Sequence, residues 1–311
     1  MDLHLVFLGT AGATPTVDRG SPATLIARGG ERLLVDCGEG TQRQLMRSVG
    51  LARINTILLT HLHGDHYLGL PGLLKTLSLA GREEPLQLFG PDGLYELLRE
   101  VERIIGRPRF PFLVEEARPG IVLETPDYLL KTVRTEHGLP GLAWCLEERS
   151  RLGQFHPERA VELGVTPGPD FGRLQRGETI STSDGRTVRP DEVMDAARPG
   201  RKVVITGDTR PTEAVIQLAS GASVLVHDST FAESEKERAL ETGHSTSREA
   251  AEVARAAGVE TLVLTHVSSR HSWRELRDEA REVFPGALLP RDLDVLIVPY
   301  PDRGTARLER V

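Results

Sequence analysis

Short apolar runs bounded by glycine, proline and charged residues recur along the first sixty positions: LHLVFLG at 3–9, ATLIAR at 23–28, RLLVD at 32–36 and NTILLT at 55–60. Their length and β-branched content predict strands. Between them, residues 41–49 are rich in Gln, Arg, Leu and Met, which predicts a helix stopped by Gly50. A second helix is expected over 70–79, and 91–105 carries Leu94, Leu97, Leu98 and Val101 at helical spacing. Later strands are expected at 128–135, 202–206, 223–228 and 261–265, with helices near 211–219 and 246–257. Strands followed by helices imply a layered α/β architecture, in which ligands collect at the carboxyl ends of the strands.

Residues 149–200 interrupt this order. The segment TPGPDFGRLQRGETISTSDGRTVRPDE is dense in Gly, Pro and Arg and has little apolar periodicity, so it reads as an extended excursion, an arm and its return rather than a domain. The chain then divides into a first half-core at 1–148, the arm at 149–200 and a second half-core at 201–311. The two halves echo each other. TILLTHLHGDH, from Thr56 to His66, returns 205 positions later as TLVLTHVSSRH, from Thr261 to His271, as two half-cores of similar design would produce.

Composition narrows the class. With 39% hydrophobic and 27% charged residues, the 311-residue chain has material for a sizeable core and too little polar bias for disorder. No apolar run approaches the roughly 18 to 20 residues of a membrane span, and MDLHLVFLGT lacks the features of a signal peptide, so a cytoplasmic protein without membrane contact is expected. Cys37 and Cys145 have no C-x-x-C partner and are expected to be free thiols. A net charge of −7 excludes coating of nucleic acid by bulk charge, so such a partner must meet a local basic patch. Arginines cluster at Arg99, Arg103, Arg107 and Arg109, and again at Arg173, Arg176, Arg186 and Arg189.

The sharpest chemical signal is His61-Leu62-His63-Gly64-Asp65-His66, directly after NTILLT. Four potential ligands in six residues, bent by a glycine, point to catalytic metal. His137, Asp208 and His266 each follow an expected strand in the same way. Together they complete a two-metal set: His61, His63 and His137 for one ion, Asp65, His66 and His266 for the other, and Asp208 bridging both. Such ligands suit zinc and also admit manganese or iron. Other chemistries fail. Gly9-x-x-Gly12 lacks the full dinucleotide-binding pattern, and no phosphate loop or nucleophile elbow is present.

The H-x-H-x-D-H turn with its later His, Asp and His resembles the metallo-β-lactamase superfamily, which implies an αββα sandwich. VFLGTAGATPT at 6–16, DCGEGTQ at 36–42, THLHGDHYLGLPGLL at 60–74, GDTRP at 207–211, HST at 244–246 and LTHVSSR at 264–270 are similar to bacterial ribonuclease Z, the tRNA 3′ endonuclease. LGVTPGPDFGRLQRGETI at 163–180 is similar to that family's protruding tRNA-binding arm. The resemblance implies a zinc-dependent endoribonuclease with two zinc ions per chain. It would remove the 3′ trailer of precursor tRNA by metal-hydroxide attack, leaving a 3′-hydroxyl on the tRNA and a 5′-phosphate on the trailer.

In that reading Asp65 takes the proton of the attacking water and His244 of the HST motif supplies one to the departing 3′-oxygen. The family's HEAT motif stands here as His227-Asp228-Ser229-Thr230, so Asp228, one methylene shorter than the usual glutamate, is the expected partner of His244. Arg173 and Arg176 in the arm, and Arg19 in the loop Pro15-Thr16-Val17-Asp18-Arg19-Gly20, are expected to contact tRNA. Relatives carry P-x-K-x-R-N in that loop. The Lys is Val17 here and the Asn is Gly20, which implies weaker rejection of CCA-bearing precursors. The resemblance also implies a homodimer. The alternative is a small-molecule ester or thioester hydrolase of the same fold, and a third reading is a metal-binding RNA chaperone without turnover. His4, His156 and His271 are expected to be structural or solvent-facing.

Overall fold

The computed structural model describes residues 1–51 and 53–310. Six strands come first: β1 (Leu3–Gly9), β2 (Ala23–Arg28), β3 (Glu31–Val35), β4 (Thr56–Leu58), β5 (Leu86–Gly90) and β6 (Phe112–Glu116). Then come β7 (Gly120–Glu124), β8 (Tyr128–Glu136) and β9 (Pro140–Glu148), and after a smaller unit β12 (Lys202–Ile205), β13 (Val224–Asp228) and β14 (Leu262–Thr265). The smaller unit holds β10 (Ile180–Ser181) and β11 (Thr187–Val188), and the chain ends with β15 (Val295–Ile297) and β16 (Arg307–Glu309). One sheet runs β16-β15-β1-β2-β3-β4-β5-β6 and the other β14-β13-β12-β9-β8-β7. The two strands of the echo sit differently, since β4 lies inside one sheet, paired parallel on both sides, and β14 lies at the edge of the other, paired parallel with β13.

The unbroken apolar runs have a simple cause, because each central strand is covered on both faces. Leu3, Leu5 and Phe7 of β1 point toward the opposite sheet and meet Leu130, Trp144, Val203 and Val226. Val6 and Leu8 point the other way, under the helices Thr41–Arg47, Leu70–Leu79 and Leu94–Ile105 through Leu45, Leu73 and Leu98. On the far side Ala143, Val204 and Leu225 pack under Val215, Ala250, Ala254 and Leu276 of the helices Glu213–Ala219, Ser247–Ala257 and Trp273–Val283. The layers are therefore helix, sheet, sheet, helix, the sandwich implied by the resemblance.

Several elements were not legible in the pattern. β6 (FLVEE) and β7 (GIVLE) show no alternation of apolar and polar residues, and every position is exposed or only partly buried, as sheet edges permit. The Trp273–Val283 helix is mostly charged and buries only Leu276 and Ala280 fully. NTILLT is shorter as a strand than expected. It leaves the sheet after Leu58, and Thr60 N–H donates instead to Asp36 Oδ1 at 2.8 Å, which turns His61 out of the ladder.

Glu148–Gly200 form a separate compact unit. The segment is not extended. It holds helices Pro157–Glu162, Pro169–Gln175 and Pro190–Val193 and the β10–β11 hairpin around Ala160, Val165, Leu174, Ile180, Val188 and Val193. Each helix opens on a proline, whose missing N–H is not needed in a first turn. The prolines that suggest an irregular loop are helix starts, and the helices are too short to display a period. Cys37 and Cys145 are free and buried, and burial pushes the Cys145 thiol up to about 12.

Candidate metal centre

The residues singled out by the motif converge at the carboxyl ends of strands from both sheets. His61 and His63 follow β4, and Asp65 and His66 lie on the short helix Gly64–Tyr67. His137 follows β8, Asp208 lies just beyond β12, and His266 follows β14 with φ at 60°. His61 Nε2 and His137 Nε2 lie 3.0 and 3.1 Å from His63 Nδ1. Asp208 Oδ2 sits among four rings, 3.6 Å from His61 Nε2, 3.4 Å from His66 Nε2, 3.5 Å from His137 Nε2 and 3.3 Å from His266 Nε2. Asp65 Oδ2 is 3.5 Å from both His66 Nε2 and His266 Nε2. The seven fall into two groups, His61 with His63, His137 and Asp208, and Asp65 with His66 and His266, the donor atoms of each within 4.8 Å of one another, and a third group joins His244 to Asp208 and His266.

This donor set fits metal. His137 Nδ1 lies 2.8 Å from the Gly243 carbonyl and His66 Nδ1 2.7 Å from Asp36 Oδ2, so each Nδ1–H is donated outward and each Nε2 lone pair faces the cluster. His66 Nε2 and Asp208 Oδ1 are buried and have no hydrogen-bond partner among the described residues. Burial holds His61 and His63 below the usual histidine range, which keeps them neutral and able to ligate. Burial opposes charge on Asp208 too, yet His266 and His66 beside it hold its carboxyl well below the usual range. Five imidazoles and two carboxylates with their lone pairs aimed at one another repel unless a cation sits among them.

His244 stands beside the cluster, its ring stacked 5.1 Å from that of His266. Its Nδ1 lies 2.9 Å from Asp228 Oδ2. Although burial works against the charge, Asp228 raises its pKa to about 9. The short Asp228 side chain is fully buried and saturated, since Oδ1 accepts from Thr230 N–H and Oγ1 and Oδ2 accepts from Thr209 N–H at 3.1 Å.

Three residues escaped the sequence reading. Asp36 orients His66 and also bonds Thr60, from a backbone with φ at 59°. A lone acid closing an apolar strand was its signal. Arg210 and Glu249 form a pair, and Arg210 Nη1 also donates to the His244 carbonyl. Nothing in the spacing of positions 210, 244 and 249 announces that contact. Arg19 is tied down through Nη1 to Thr10 Oγ1 and the Pro290 carbonyl. Arg173 and Arg176 belong to the smaller unit, where Glu178 pairs with both, at 3.1 and 3.2 Å. His156 and His271 lie 2.9 Å or less from Asp195 and Glu235.

Residues 16–285 match the Metallo-beta-lactamase superfamily. The Ribonuclease Z of Methanosarcina mazei is 44% identical over 306 residues, covering 96% of this chain and 100% of that one. The Ribonuclease Z of Gemmatimonas aurantiaca is 47% identical over 297 residues, covering 94% and 95%. The chain belongs to the ribonuclease Z family. The human tRNase Z short form, a solved relative at 28% identity, superposes with a TM-score of 0.69 over 95% of this chain and 99% of its own. YhfI from Bacillus subtilis, at 19% identity and a TM-score of 0.70 over 96% and 100%, shares the fold. In this ribonuclease Z chain the His and Asp cluster is the place for a metal cofactor.

Proposed function

We infer that this chain is a tRNA 3′-processing endonuclease that removes the 3′ trailer from precursor tRNA. The observation that carries the reading is the buried cluster of His61, His63, Asp65, His66, His137, Asp208 and His266, with the His244–Asp228 pair beside it, in a chain 44% identical to a Ribonuclease Z. Zinc, two ions per chain, suits the set. His61, His63 and His137 would hold one, Asp65, His66 and His266 the other, and Asp208 both. Divalent cations bound there lower the pKa of water and neutralise charge on the scissile phosphate.

The chain's own residues then have separate tasks. Although burial works against its charge, His266 and His66, 3.5 Å away, hold Asp65 below the usual carboxylate range, so it is ionised at neutral pH and placed to accept a proton from the attacking water. Asp228 keeps the Nδ1–H of His244 in place, and Nε2 is left to give a proton to the departing 3′-oxygen. The products are a 3′-hydroxyl on the tRNA and a 5′-phosphate on the trailer. Arg173 and Arg176 of the smaller unit, and Arg19, contact tRNA. Among the described residues no helix is long and apolar enough to cross a membrane, and a homodimer working in the cytoplasm completes the reading.

The test is cleavage of a precursor tRNA with both product ends mapped and metal content measured on the same preparation. A single internal cut leaving 3′-hydroxyl and 5′-phosphate ends, with about two metal ions per chain, is expected. Hydrolysis of small esters or thioesters without any cut in the RNA overturns the reading.

A further inference from the structure

Next to the metal centre lies a cavity of ≈ 580 Å³, within the roughly 300–1,000 Å³ of typical ligand sites. The loop after β1 lines it with Thr16, Asp18 and Arg19, and the segment after β14 lines it with Val267, Ser268 and Trp273. Arg291 also lines it. Val267 directly follows the metal-centre residue His266, so the cavity adjoins the reactive cluster.

Its aromatic wall is ringed by positive charge. The guanidinium carbons of Arg274, Arg277 and Arg291 lie 4.9, 5.0 and 5.7 Å from the Trp273 ring centroid. Arg277 is paired with Asp278 at 2.6 Å, whereas Arg274 and Arg291 make no ion pair among the described residues. Most of the arginines that cluster in the sequence behave differently. Arg99, Arg103 and Arg107 are paired with Glu96, Glu100 and Glu102, and Arg173 and Arg176 with Glu178. Asp18 and Asp292 line the same cavity, but Asp292 is taken up by Thr10 Oγ1, Gly20 N–H and Gln44 Nε2, so Arg274 and Arg291 face a half-buried tryptophan without an ion-pair partner among the described residues. Arg274 and Arg277 come from one helix and Arg291 from the segment beyond it, so the cluster is assembled by the fold around Trp273.

We propose that this cavity is a binding subsite for one single-stranded nucleotide adjoining the scissile phosphate, with the base stacked on Trp273 and its guanidiniums and the nucleotide's phosphate met by Arg291. The inference rests on the endonuclease reading and names where that substrate's unpaired end is held. Bases stack on indole and on guanidinium planes whatever their identity, so such a site grips a chain without demanding a sequence. The hydroxyls of Thr16 and Ser268 offer hydrogen bonds to ribose or base edges.

The two tryptophans make the test direct. Trp144 is 2% exposed and donates its indole N–H to the Leu59 carbonyl, so quenching by a dissolved oligonucleotide reports Trp273. The full chain is titrated with a phosphorothioate-linked deoxytetranucleotide. Saturable quenching is expected, absent in Trp273→Phe. Arg291→Gln should raise Kd about fivefold and flatten the slope of log affinity against log salt by about 0.7. Arg103→Gln, on the Leu94–Ile105 helix, should leave Kd unchanged. Because Trp273 also packs against the core, melting temperatures are compared and Arg291→Gln carries the test if Trp273→Phe unfolds. No quenching, or a Kd indifferent to Arg291→Gln, overturns the subsite. Precursor-tRNA cleavage by the same wild-type sample separates the two readings. Cleavage without quenching sinks the subsite alone, and quenching without cleavage sinks the endonuclease reading while a nucleotide site stands.

Discussion

The two compact units of this chain are built by opposite means. The larger unit stacks four layers around long apolar strands and holds within them a polar cluster that is costly in isolation: five histidines, two carboxylates and the unpartnered His66 Nε2 and Asp208 Oδ1. The smaller unit closes over Ala160, Val165, Leu174, Ile180, Val188 and Val193, and its surface mixes charged residues with Gly, Pro and uncharged polar ones. A large core can offset buried, mutually repelling ligands and positive φ at Asp36 and His266. A core of six side chains cannot, and it is suited to displaying side chains rather than straining them. Chemistry and substrate grip are thus expected to separate between the units.

The strongest test of that separation is Asp65→Ala. Single-turnover cleavage of precursor tRNA should fall at least about a thousandfold while binding changes only a few-fold, because the carboxylate serves both metal and proton. Near-normal rates would remove Asp65 from the chemistry. Replacing residues 152–197 by a short Gly-Ser linker should do the reverse. It keeps the pairing of Arg151 with Arg198, at 2.8 and 2.9 Å between backbone atoms, and removes the rest of the smaller unit. Precursor cleavage should drop about a hundredfold and bis-p-nitrophenyl phosphate hydrolysis stay within about threefold. An equal loss of both would make the smaller unit structural.

The clustering of the candidate ligands was legible because H-x-H-x-D-H is local: the turn that brings His61, His63, Asp65 and His66 together is six residues long. His137, Asp208 and His266 could be added because each terminates an apolar strand, and parallel strands deliver their carboxyl ends to one edge. Arg210 could not be read in this way. Its contact with the His244 carbonyl crosses 34 positions and depends on how the turn before the Ser247–Ala257 helix is set down. The Trp273 patch was hidden for the same reason, since Arg274 and Arg277 come from one helix and Arg291 from the loop beyond it.

A subtler comparison lies within the larger unit, between the metal ligands and the His244–Asp228 pair. Asp228→Asn should lower the pKa of His244 from about 9 toward the ordinary 6.5. A proton donor works below its pKa, so the basic limb of the pH–rate profile should move to lower pH. The loss, about tenfold near pH 8, should shrink toward pH 6. Stability has the same sign: the pair stabilises the fold fully below pH 6.5, and that contribution fades as pH rises through about 9. A profile that keeps its shape would take the pair out of proton transfer.

The smallest effect is expected from the loop after β1. Val17 is fully exposed at its tip, and Gly20 N–H is held by Asp292 Oδ2 at 2.6 Å. Val17→Lys with Gly20→Asn should strengthen rejection of a CCA-ended precursor a few-fold, measured as the ratio of kcat/KM with and without CCA. No change would show that this loop is not the discriminator.

Periodicity and the histidine motif by themselves determined the layered α/β class and the candidate ligands of the 61–66 turn, because burial on both faces of a strand and a cluster of donors in one turn each leave a signature within about ten positions. The tertiary structure alone decided that residues 148–200 fold around a core of their own, that Asp36 aims His66, and that unpaired arginines gather on Trp273. Each of these depends on which side chain is left facing which after two sheets and their helices pack, and no local pattern carries that information.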